Sequence, residues 1–70
     1  MPYIERMIAE ADELSERLVK ARAFLSHEVF ATLDWTEKVL LNAQIGAMTA
    51  YLSTLTLRIQ YAQRHAVAAS

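Results

Sequence analysis

The sequence predicts an all-α fold: an antiparallel two-helix hairpin, coiled-coil-like, that assembles with copies of itself into a helical bundle. Three observations carry that expectation. One glycine and one proline in 70 residues leave little material for the turns of a β fold. Apolar residues recur at alternating steps of three and four in both halves of the chain, the heptad spacing of helices with one buried seam. A single chain of this length also buries too little surface for a strong core, and with no cysteine it has no disulfides to make up the difference. Association remains as the source of stability.

The first helix is expected over about residues 2–26. Ile4, Met7, Ala11, Leu14, Leu18, Ala21 and Leu25 form its seam, and Pro2 suits a first helical turn because its missing N–H has no partner there anyway. Glu13–Arg17 and Glu16–Lys20 set acid before base at i, i+4 on a solvated face. The stretch HEVFATLD breaks the period and reads as a connection over residues 27–34, with His27 solvated and Phe24, Phe30 and Leu33 plugging the closed end. In DWTE, Asp34 takes the N-cap and Glu37 the N3 position of a capping box, so the second helix starts at Trp35. Trp35 is expected to cover the hairpin end. The second helix runs over about residues 35–64 along Leu41, Ile45, Met48, Leu52, Leu55, Ile59 and Ala62, and residues 65–70 form a frayed tail. The whole is one domain over residues 1–70.

That second helix carries a further stripe: Leu40, Ala43, Ala47, Ala50, Thr54 and Leu57, followed by Tyr61. A simple hairpin needs one buried face per helix, so this one is assigned to contact between copies, where small side chains let backbones approach. Val39–Leu57 holds no charged residue and is long enough to span a bilayer. Asn42, Gln44, Thr49, Ser53, Thr54 and Thr56 make it too polar for a span, and no aromatic belt marks its ends. Asn42, Gln44 and Thr49 are expected to set oligomer register rather than bind a ligand.

Charge and motifs narrow the function. A net charge of −1 gives no field to recruit DNA, RNA or an acidic membrane. Four acids within the first fourteen residues are unlike a signal or transit peptide, and the lack of cysteine fits a reducing cytoplasm. His27 and His65 are too far apart for a local metal motif, so neither a metal nor a cofactor is expected. No GxSxG, HExxH, CxxC or glycine-built phosphate loop occurs, and the acids of the first helix lie on a solvated face; the chain does not read as an enzyme.

One pole stands out. Antiparallel packing brings Tyr3 and Arg6 to Arg58, Tyr61, Arg64 and His65, beside the positive end of the first helix. Arginine forks grip phosphate oxygens and tyrosine rings stack on bases, so this pole suits a small anionic nucleotide. The same residues have a plain structural account. Arg58, Arg64 and His65 complement a helix C-terminus, Tyr61 extends the second stripe, and Glu5 and Glu10 offset part of the charge.

Taken together, Arg6, Glu10, Glu13, Leu14, Phe24, Leu25, Phe30, Leu33, Glu37, Leu41, Gln44, Met48, Tyr51, Leu55, Arg58 and Ile59 resemble the pattern of a family of small bacteriophage proteins first noted in crAss-like phages. More distantly, the hairpin is similar to the helical core of phage sponges that oppose the CBASS and Thoeris defences. That resemblance implies a homo-oligomer in the host cytoplasm that sequesters a cyclic di- or trinucleotide, or a cyclic ADP-ribose-type signal, without cleaving it. It would place the ligand at the pole just described, with Gln44 and Tyr51 as the next candidates. The alternative is a structural or adaptor hairpin whose second stripe receives another protein.

Overall fold

The computed structural model describes the backbone of residues 2–69 and the side-chain surroundings of residues 3–65. Among the described residues all regular structure is helical, in the order α1 (Pro2–Phe24), α2 (Glu28–Thr32) and α3 (Trp35–Ala69).

The two long helices meet along the seams that the spacing picks out. Ile4, Met7, Leu14 and Leu18 of α1 and Ile45, Leu55 and Ala62 of α3 are buried; Leu55 has no exposed surface at all. Ala11, Ala21, Leu25, Leu41, Met48, Leu52 and Ile59 are half-buried along the same two lines. Ile4, Met7, Leu55 and Ala62 form one cluster, with Ala11 and Ile59 against it. Cross-links run between positions that rise in α1 and fall in α3: Tyr51 bonds to Glu10, and Arg22 Nη2 donates to Thr49 Oγ1 at 3.1 Å. The start of α1 therefore lies beside the later turns of α3.

Four expectations need correction. The first helix stops at Phe24 rather than about residue 26. Its end tightens into three successive i→i+3 bonds, from the amides of Leu25, Ser26 and His27 to the carbonyls of Arg22, Ala23 and Phe24 at 2.9–3.1 Å. The connection is not irregular throughout, because Glu28–Thr32 makes the short helix α2. His27, although exposed, caps that helix by accepting from the Val29 amide at 3.1 Å. The second long helix continues to Ala69 instead of ending near residue 64. Ala66, Ala68 and Ala69 are strong helix formers, so the alanine-rich end prolongs the helix; Ser70 lies outside the described residues. Finally, Trp35 covers nothing and is 79% exposed. The half-buried Phe24, Phe30 and Leu33 occupy the closed end themselves, with Phe24 and Phe30 edge to face at 6.1 Å and the Lys38 ammonium 5.7 Å from the Phe30 ring centre.

The start of α3 follows the expected cap: the Glu37 amide donates to Asp34 Oδ1 at 2.8 Å. On α1, Glu13 and Arg17 pair at 3.7 Å, whereas Glu16 and Lys20 flank a shallow surface hollow with Ser15 and Val19. Asn42 Nδ2 donates to the Lys38 carbonyl and Thr49 Oγ1 to the Ile45 carbonyl, each one turn back within α3.

The result is a rod of 55 × 15 × 14 Å. Its radius of gyration of 16.1 Å exceeds the roughly 11 Å of a compact domain of 70 residues. Its accessible surface of 5380 Å² likewise exceeds the roughly 4400 Å² of a compact monomer of its mass. On the outer face of α3, Leu40, Ala43, Ala47, Ala50, Thr54, Leu57 and Tyr61 are all exposed in the single chain. Among the described residues no helix is long and apolar enough to cross a membrane.

Candidate functional site

The heptad seams that pack α1 on α3 leave a groove at the pole where α1 begins. Tyr3 and Met7 line it from α1, and Leu57, Arg58, Tyr61, Ala62 and His65 from α3, around a space of about 470 Å³. Pockets for small molecules have volumes of about 300–1,000 Å³, so the space is adequate for one. The buried Met7 and Ala62 make its floor. Tyr61 lies one position short of Ala62 in the α3 seam, and Tyr3 one position short of Ile4 in that of α1. Each therefore sits at the edge of the helix contact, where it borders the groove.

Aromatic and cationic groups share the groove. The Tyr61 and His65 rings stand 4.0 Å apart between centroids at a 33° tilt, an i, i+4 pair on one face of α3. His65 Nδ1 approaches the Tyr61 carbonyl oxygen at 3.1 Å, which fixes the imidazole against the helix. Arg58 brings the guanidinium, one turn before Tyr61. Its charge also reaches Tyr51, whose hydroxyl bonds to Glu10; that hydrogen bond raises the Tyr51 pKa above the ordinary 10.0, desolvation and the Glu10 charge add to the rise, and Arg58 opposes it. Arg58 thus both lines the groove and acts on Tyr51 through its charge.

Of the residues picked out from the sequence at this pole, Tyr3, Arg58, Tyr61 and His65 line the groove, while Arg6 and Arg64 do not. Both are exposed. The sequence reading missed Met7 and Ala62 as groove residues because their seam positions mark them first as core. It placed Leu57 on the outer stripe only, although Leu57 also borders the groove. Gln44 is exposed and lies well away from this pole.

The arrangement can hold an anion and a flat ring together. Among the described side chains it has no polar atom that is buried without a partner. No group of three or more metal-ligating side chains gathers among the described residues.

The sequence model of the Sequestin family matches residues 1–61 of the chain. The chain belongs to the Sequestin family. The match takes in the α1 seam, the α3 seam as far as Ile59 and the groove as far as Tyr61, whereas Ala62 and His65 fall beyond it. No curated protein and no solved structure matches the chain.

Proposed function

We propose that the protein is a bacteriophage counter-defence factor that captures a cyclic nucleotide-type signal and holds it intact. The protomer would be a helical hairpin working within a homo-oligomer, in the cytoplasm of the infected host. One observation carries this reading: Arg58 and the rings of Tyr3, Tyr61 and His65 surround one groove of about 470 Å³. Arg58 supplies a bidentate grip for a phosphate, and the rings offer faces for a base. The family name, Sequestin, supports retention of a ligand over turnover. Cyclic di- and trinucleotides and cyclic ADP-ribose share the chemistry this groove suits, an anionic backbone joined to purine-like rings, and CBASS and Thoeris are the defences whose signals have that form.

Capture without cleavage asks little of the protein beyond complementarity and number. Each groove removes one signal molecule, so the effect scales with protein concentration rather than with time.

Calorimetric titration with cyclic dinucleotides, cyclic trinucleotides and cyclic ADP-ribose tests the proposal. At least one is expected to bind far more tightly than millimolar and to be recovered chemically unchanged. If none binds below about 1 mM, where binding is worth only some 4 kcal/mol, the proposal fails.

A further inference from the structure

The outer face of α3 reads the same from both ends. Leu40, Ala43 and Ala47 are mirrored by Leu57, Thr54 and Ala50 about a point between Met48 and Thr49. Bulk stands at both ends and small side chains in the middle. We propose that a second copy of this chain docks on this face in antiparallel sense, about a two-fold axis at that point. The start of its α3 would then lie against the groove of Tyr3, Arg58, Tyr61 and His65. In that register Leu40 of each copy packs beside Leu57 of the other, Ala43 beside Thr54, and Ala47 beside Ala50. Such a contact is isologous, so one patch serves both copies and the assembly closes.

Charge selects the direction. Glu37 and Lys38 bound the stripe at one end and Arg58 at the other, with no charge between them. Lys38 is half-buried and turned inward over Phe30, so Glu37 and Arg58 are the exposed charges at the margins. Antiparallel docking brings Glu37 of each copy within a turn of Arg58 of the other, opposite signs on the same flank. Parallel docking would align Glu37 with Glu37 and Arg58 with Arg58.

Trp35 supplies a separate reason. Among the described residues it is the most exposed large apolar side chain of α3, at 79%. In the antiparallel register it comes level with Ala62 of the other copy, on the flank of Arg64. Each groove then gains a wall from the partner's first α3 turns, and two composite sites form per pair. The docking stands on the stripe, the charges and Trp35; only the role of the completed groove rests on the ligand-capture reading.

The chain has no cysteine, which makes the register directly readable. Leu40→Cys and Leu57→Cys variants are oxidised separately and as a mixture. The mixture is expected to yield a disulfide-linked heterodimer and neither variant alone a linked dimer. Identical positions would lie about 25 Å apart in the proposed pair, far beyond disulfide reach. Linked dimers from each variant alone would show parallel docking and overturn the proposal, as would the absence of any link among chains that retain full helicity. Trp35 fluorescence of the unaltered chain gives a second readout. Its emission is expected to shift to the red on dilution as pairs separate, and emission typical of a solvated indole at every concentration would overturn the burial of Trp35. Titrating the linked heterodimer with cyclic ADP-ribose and cyclic dinucleotides separates the two ideas. A heterodimer that forms but binds none of them leaves the docking standing and removes the capture reading, whereas binding by chains that never link does the reverse.

Discussion

The Tyr51 hydroxyl donates a hydrogen bond to Glu10 Oε1, tying α3 to α1 at the flank of their shared core. A phenol facing a carboxylate must keep its proton to donate, so this contact raises the Tyr51 pKa above 10.0, with desolvation and the Glu10 charge adding and Arg58 opposing. A raised pKa means that the folded state favours the neutral phenol. The contact stabilises the fold fully at pH values below 10.0, and that contribution is lost as pH rises through the higher folded value.

Tyr51→Phe is therefore expected to lower Tm at neutral pH and to remove part of the stability loss of the unaltered protein above pH 10. Thermal melts followed by circular dichroism from pH 7 to 11 check this. Parallel pH dependences in the two proteins would mean that the bond does not form in solution.

Among the described residues Leu55 is the one large side chain without any exposed surface, in the cluster with Ile4, Met7 and Ala62. Leu55→Ala removes contacts from both helices and leaves a cavity, at a cost of about 2–5 kcal/mol. So thin a core is expected to lose most of its stability, as read from the urea midpoint. A change below about 0.5 kcal/mol would contradict the packing described.

Gly46 sits within α3, and a Cβ placed there meets nothing within 4 Å. Gly46→Ala should stabilise the helix by about 1 kcal/mol, because the glycine costs backbone entropy and no neighbour needs the space. Denaturant unfolding of dilute protein measures it. A destabilised variant would reveal a close neighbour at this face.

Arg58 is the cation that lines the groove. Arg58→Ala is expected to weaken capture of a cyclic nucleotide at least tenfold, about 1.4 kcal/mol, with Arg58→Lys intermediate because an ammonium cannot make the bidentate contact. Calorimetry distinguishes the three proteins. Equal affinities would place the phosphate elsewhere.

Much of this architecture was legible in the sequence because the heptad seams state which face of each helix is buried, and every seam position is buried or half-buried as the spacing requires. Asp34 announced the start of α3 through its side-chain chemistry. Helix α2 is too short for any period to show, and its cap, His27, is not among the usual capping residues. Trp35 was assigned to the closed end because a large apolar ring ought to be covered, yet Phe24, Phe30 and Leu33 already fill that end. At the groove, residue types bring six residues to one pole, of which Tyr3, Arg58, Tyr61 and His65 line the groove and Arg6 and Arg64 do not. Which side chains turn into the groove is set by packing, and a cluster drawn from residue types carries none of it.

The shape of the rod has its own consequence. At 55 × 15 × 14 Å the single chain is nearly four times as long as it is wide. Helical amide bonds lie close to the helix axis, so those of α1 and α3 point nearly along the rod. Spinning about that axis barely reorients them, and only slow end-over-end tumbling does. Nitrogen spin relaxation in these two helices will therefore report a longer correlation time than a sphere of equal mass would have.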